Sequence, residues 1–302
     1  MSPDVTDQTE PPVDETVDFH MRAFFREYVA VHLKSHTAKS YQCFWRNHIS
    51  PRLGSKILRQ VTVEDVEEVH LELRDKPTTA NRIVSLLSKF FSWCVNRGIL
   101  DKDLSLSRKL IRYHENKIQR FLSQKQMRSI WETIGRLEET GKLNKVPAAA
   151  LKLIVLTGAR KNEILTLKWD DLELDGHRIV LTDSKTGFKV IYLSQQAEEI
   201  LRGVERTGDF VFPSKSASGH LFDLQWQWRQ ILREAALAGK WRIHDLRHGF
   251  ASTAVNNGGS LSYIGFLLGH KRVSTTERYA HVAENPAQDL LNKVCRIITS
   301  GK

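Results

Sequence analysis

LELDGHRIVLTDSKTGFKVIYL, residues 172–193, is where the hydrophobic period of this 302-residue chain changes from helical to alternating. Leu172–Leu174, Arg178–Thr182 and Lys189–Leu193 read as three short strands. Turn residues at Asp175-Gly176 and over Ser184–Gly187 separate them, so a small antiparallel sheet is expected. Helical patterns flank it on both sides. Apolar Ala148–Leu156 reads as a buried helix, Ser123 as the cap of an earlier one, and helical spacing resumes from Gln195 to the end. These pieces make one mixed domain over residues 121–302.

Moving outward, RYHENKIQR (112–120) is polar and charged and reads as a linker. Before it the periodicity is helical throughout. Phe24, Phe25, Tyr28 and Val29 mark a helix over Phe19–Leu33, and a second is expected from Thr37 to before Pro51. Thr62 with Asp65 opens a third that runs to Leu73. Thr78 or Thr79 opens a fourth carrying Ile83, Leu86, Leu87, Phe90, Phe91 and Val95, which Gly98 stops. Residues 19–111 therefore form a small all-helical domain, and the acidic, Pro-containing residues 1–18 are expected to be disordered. The fold class is mainly α with a small antiparallel β-sheet.

At 41% hydrophobic the chain has enough apolar material for two cores. No apolar run approaches the roughly 20 residues that span a bilayer, and the acidic N-terminus lacks the basic and apolar regions of a secretory signal. Cys43, Cys94 and Cys295 form no CxxC pair, so a reducing cytoplasm fits and no disulfide framework or zinc knuckle is indicated. The net charge of +10 is uneven: residues 1–18 carry six acids and no Lys or Arg. Residues 19–118 hold 18 basic and 10 acidic side chains, and residues 119–302 hold 27 and 19. A polyanion touching both halves suits that balance, with nucleic acid first in line; an ordinary basic protein is the alternative.

Four segments carry residues of chemical interest. In TGARKNEIL (157–165), Gly158 allows a tight approach and Arg160 sits at a helix start, where a phosphate can be gripped. Arg160 and Glu163 share a helix face, and a surface ion pair is the plainer reading. Lys185 in SKTG occupies a hairpin tip, as many solvated turn lysines do. In HDLRHGFAS (244–252), His244 and Arg247 lie one turn apart, placing a proton carrier beside a fixed charge. His244 and His248 have the spacing of metal ligands, but no third ligand is evident. In LGHKRVSTTERYAHV (268–282), Ser274 and Glu277 resemble a capping box for a helix presenting Tyr279, and His270 lies in the turn before it.

The order Arg, hairpin Lys, His-x-x-Arg, Gly-His, Tyr is more specific than any member of it. Over residues 19 to 290 the chain resembles the tyrosine recombinase, or phage integrase, family. The resemblance implies an N-terminal helical (SAM-like) core-binding domain and a mixed α+β catalytic domain, clamped around duplex DNA. It implies an active site of Arg160, Lys185, His244, Arg247, His270 and the nucleophile Tyr279, with no metal and no cofactor. The arginines and His270 would hold the phosphate, His244 would receive the tyrosine proton, and Lys185 would protonate the departing 5′ oxygen. The product would be a 3′-phosphotyrosine.

The resemblance further implies double-stranded recombination sites as substrate and a homotetramer in the synaptic complex. An accessory DNA-bending protein is a candidate partner, and DNA-bound molecules would sit on the bacterial nucleoid. Leu290, Leu291, Val294, Ile297 and Ile298 form an apolar stripe that could dock on a neighbouring subunit or on its own core. A type IB topoisomerase and a non-catalytic DNA-binding regulator on the same fold are the rival readings. The short acidic N-terminus leads us to expect no arm-type binding domain. A mobile-element integrase is the first expectation and a chromosomal dimer-resolving recombinase the second.

Overall fold

Helices dominate the architecture, and their boundaries follow from caps and packing. The structure is a computed structural model that describes residues 15–104, 106–115, 120–184, 187–237, 239–270 and 275–276. Contacts divide the chain into two units, Met1–Ile118 and Gln119–Lys302.

In the first unit, α1 (Val17–Phe24) continues through a π turn (Phe25–Val29) into α2 (Ala30–His32). α3 (Ser35–Phe44) runs through a second π turn (Trp45–Ile49) into α4 (Ser50–Leu53). The helical path thus passes Pro51, where the sequence suggested a stop. Proline lacks an N–H and crowds the carbonyl four residues back, which normally breaks a helix. Here the Ser50 N–H bonds five residues back to the Trp45 carbonyl, and the widened turn delivers Pro51 into the first turn of α4.

α5 (Val63–Glu72) starts as its sequence suggested. The Asp65 N–H donates to Thr62 Oγ1 at 3.4 Å, and the Thr62 N–H donates to Asp65 Oδ2 at 2.8 Å. Thr62→Ala should therefore cost about 1 kcal/mol, read as a lowered urea midpoint with unchanged slope. α6 (Pro77–Asn96) is the central helix, and Gly98 beyond its end takes φ +70°. Its Ile83, Leu86, Leu87, Phe90 and Phe91 are buried with Met21, Phe24 and Ile49. Phe24 meets Phe90 edge-on at 5.6 Å and stacks on Tyr28 at 5.2 Å. α7 (Leu106–Lys109) closes this core through Leu106 and Leu110. Beyond it, within the stretch read as a linker, Tyr113 stacks on His70 at 4.1 Å and exchanges two hydrogen bonds with Asn81.

The second unit begins with α8 (Gln124–Glu139), capped by Ser123 and Gln126. α9 (Lys145–Thr157) is the apolar helix that its sequence suggested, and it packs against α8 and three later helices. After α10 (Lys161–Leu165) come β1 (Leu172–Glu173), β2 (Arg178–Ser184) and β3 (Gly187–Tyr192), an antiparallel sheet in the order β1-β2-β3. In the first turn the left-handed residue is His177 (φ 52°), not Gly176, because a 3-10 turn occupies Leu174–Gly176. One face of the sheet sends Ile179, Leu181 and Ile191 into the core shared with α8 and α9. α11 (Gln195–Arg202), α12 (Gln225–Glu234), α13 (His244–Asn256) and α14 (Leu261–Leu268) complete the unit. No described helix is long and apolar enough to cross a membrane.

Candidate active site

The site is built around the break between α9 and α10. Gly158 ends α9 with φ +61°. A Cβ there would lie 2.8 Å from a Phe250 ring carbon and 2.9 Å from a Leu268 methyl, so both conformation and space demand glycine. The chain can then reverse and offer Arg160 as the N-cap of α10. Glu163 fixes that arginine twice. Its Oε2 accepts the Arg160 backbone N–H at 2.9 Å, and its Oε1 accepts Arg160 Nη1–H at 2.7 Å. Glu163 is only 7% exposed, so this is no solvated surface pair.

α13 supplies the next two groups. Asp245, buried, accepts from the Arg242 N–H (2.8 Å) and Nη2–H (2.9 Å) and so secures the helix start at His244. One turn later Arg247 is 3% exposed. Its Nη1 donates to the Gly158 carbonyl at 2.9 Å and its Nη2 to the Leu268 carbonyl at 2.8 Å. One guanidinium thereby ties the Arg160 turn to the end of α14. There Gly269 takes φ +66°, the His270 N–H donates to the Gly265 carbonyl at 2.8 Å, and His270 Nδ1 lies 2.8 Å from Thr276 Oγ1. Thr276 is buried, which holds the imidazole in one orientation.

From the sheet comes a residue that sequence reading passed over. Lys189 on β3 is 4% exposed, and its Nζ donates to Glu163 Oε2 at 2.6 Å. Burial lowers its pKa to about 8; the Glu163 charge and hydrogen bond oppose this, while Arg247 and Arg160 add to it. For Glu163 burial acts upward, yet Lys189 and Arg160 together bring the carboxyl below its ordinary value. His244 is also shifted down, first by burial of part of its ring and then by Arg247 and Arg242, with a smaller push from Arg160. A neutral imidazole at physiological pH can accept a proton.

Four of the six residues expected from sequence are thus brought together: Arg160, His244, Arg247 and His270. Lys185 and Tyr279 lie outside the described residues, as do Ser274 and Glu277. Glu163 was visible only as a partner of Arg160. The signal for Lys189 was its register: strand side chains alternate, so it shares the inward face with Ile191 and Leu193. The His244 and His248 rings meet edge-to-face at 4.9 Å, and among the described residues no three His, Cys, Asp or Glu side chains group as metal ligands. Two arginines and a lysine around one buried carboxylate leave a net positive pocket with a neutral histidine at its edge. Such a pocket can bind a phosphodiester and stabilise charge gathering on its non-bridging oxygens.

Comparison with known proteins identifies the family. The Phage integrase family matches residues 120–285, more than half of the chain. The tyrosine recombinase XerD of Haemophilus ducreyi is 30% identical over 228 residues, covering 69% of this chain and 73% of that protein. XerC of Pediococcus pentosaceus is 27% identical over 229 residues, covering 72% and 75%. Among solved structures, a lambda integrase(75-356) dimer bound to a COC' core site superposes with a TM-score of 0.68 at 18% identity, covering 86% of this chain and 97% of that one. The Tn1549 transposon integrase in complex with circular intermediate DNA gives 0.64 at 18% identity, covering 90% and 97%. The chain belongs to the phage integrase family of tyrosine recombinases.

Proposed function

We propose that this protein is a site-specific DNA recombinase that cleaves and rejoins duplex DNA through a 3′-phosphotyrosine on Tyr279. The observation that carries the reading is the convergence of Arg160, Arg247, His244 and His270, held together by the two Arg247–carbonyl bonds. A phosphodiester is already anionic, and its transition state gains charge, so fixed guanidiniums aimed at that charge accelerate attack. Tyr279 is the nucleophile, His244 receives its proton, and His270 adds a hydrogen bond to the same phosphate. Lys185 protonates the leaving 5′ oxygen. The phosphotyrosine keeps the bond energy, so a 5′ hydroxyl from a second duplex can reverse the step.

Residues 19–111 act as the core-binding domain, joined by residues 112–120 to the catalytic domain at 121–302, and the two clamp the DNA. The basic balance of both halves supports that clamp. Two sites are synapsed by a homotetramer; a lambda integrase tetramer bound to a Holliday junction shares the fold. Integration or excision of a mobile element is the role we assign first. The deciding experiment is incubation with a nicked suicide duplex carrying the cognate site. A covalent adduct through the DNA 3′ phosphate is expected, and a protein that binds the site without forming one would be a regulator instead.

The same substrate tests Lys185. Lys185→Ala should bind normally and cleave about 10²–10⁴-fold more slowly, the usual worth of a general acid. A 5′-bridging sulfur leaves without a proton and should restore most of that rate. A mutant that stays slow on the sulfur substrate assigns Lys185 to phosphate contact instead.

A further inference from the structure

We infer that Lys189 is a positioning residue for strand cleavage: as a cation it holds Glu163 against Arg160 and supports the turn that carries His270. This rests on the recombinase reading above. Glu163 is a buried carboxylate beside a pocket proposed to receive a phosphate, a place where an uncompensated negative charge would repel the substrate. Its two oxygens are occupied by three donors: Arg160 Nη1–H, the Arg160 backbone N–H and Lys189 Nζ–H. With Lys189 charged, the carboxylate is neutralised and acts only as a bracket for Arg160. With Lys189 neutral, the bracket keeps its charge and the pocket loses one positive unit.

The second link is steric. A Cβ on Gly269 would lie 2.7 Å from Lys189 Cε and 3.0 Å from its Cδ, so the lysine stem runs directly beneath that glycine. His270 is the next residue and is set by its bonds to Gly265 and Thr276. The stem therefore underlies the His270 turn while its ammonium secures Arg160. The ammonium is buried and bonded to Glu163, so the role we assign it is support rather than proton donation.

The charged groups facing Lys189 are Glu163 from α10, Arg160 at its N-cap and Arg247 from α13; His270, a titratable group, follows the glycine above the lysine stem. Burial, with the two arginines and against the pull of Glu163, places the lysine pKa at about 8. The cation is present below that pH and lost above it. The rate constant for cleavage at enzyme concentrations below saturation reports groups in the free enzyme. It should fall about tenfold per pH unit above pH ~8 in the wild type.

The experiment measures that constant on the nicked suicide duplex from pH 6.5 to 9.5, with DNA affinity and melting temperature in parallel. Lys189→Met should bind DNA normally and cleave about 10²-fold more slowly at pH 7, the cost of a misplaced catalytic group. Its slower profile should show no fall near pH 8, because methionine carries no charge. Lys189→Arg should keep its charge past pH 9.5 and also lack the fall; it decides the matter if the methionine variant does not fold. A residue that only fills the core would change melting temperature without moving a pH limb. Wild-type cleavage by Lys189→Met, or a limb near pH 8 that persists in either variant, overturns the inference and leaves the recombinase reading intact. A wild type that forms no adduct overturns both.

Discussion

Tyr279→Phe should fold, bind its site and leave every DNA strand intact. The substitution removes one oxygen and keeps the ring. A tyrosine that only packed would lose about a hydrogen bond, roughly 1 kcal/mol, and activity would survive. A nucleophile has no substitute, because no other group can form the covalent intermediate. The wild type on a nicked suicide duplex should accumulate an adduct, and mass spectrometry after proteolysis should place it on the peptide containing Tyr279. Tyr263 is the natural internal control, since it stands 74% exposed on α14 and offers a second phenol. An adduct on Tyr263 or Ser274, or recombination by the Phe variant, would contradict the assignment.

Arg247→Ala is expected to lower single-turnover cleavage by about 10³-fold or more, the upper range for losing one fixed donor to a developing oxyanion. Two effects combine. The phosphate loses a guanidinium, and the Gly158 and Leu268 carbonyls lose the donors that bind the Arg160 turn to the end of α14. Arg247→Lys separates charge from geometry. A guanidinium offers its N–H groups in a planar fork that reaches both carbonyls, whereas an ammonium is a compact point charge that cannot span both. The lysine variant should therefore stay close to the alanine variant in rate, while DNA affinity at low salt stays near wild type. Cleavage by Arg247→Lys within tenfold of wild type would reduce Arg247 to a source of charge.

Much of this molecule could be read from residue types because local rules decide it. The Thr62–Asp65 and Ser123–Gln126 caps, the three strands and the end of α6 at Gly98 all depend on neighbours within a few positions. Pro51 was read against its helix because a π turn is a choice made by backbone spacing, not by composition. The left-handed His177 escaped for a similar reason: a 3-10 turn moved the strain one residue past the glycine. Within the site, Arg160, His244, Arg247 and His270 were legible from their order. Glu163 and Lys189 were not, because their meaning is a contact across 26 residues between a helix start and a strand. Alternation along β3 marked Lys189 as inward, but only the fold shows that a carboxylate waits there. Nor does sequence show that Arg247 spends two bonds on main-chain carbonyls.

Those two bonds bear on the entropy of the reaction. An arginine side chain free in solution carries about 2 kcal/mol of rotamer entropy. A surface arginine recruited by a phosphate would surrender that freedom each time DNA arrives. Arg247 has already surrendered it during folding, clamped to Gly158 and Leu268 with 3% of its surface exposed. Cleavage can then proceed without freezing this side chain, and the activation entropy should be correspondingly less unfavourable. The same clamp makes the guanidinium's aim as stable as the two backbone turns it joins, so heating should erode catalysis only when one of those turns loosens.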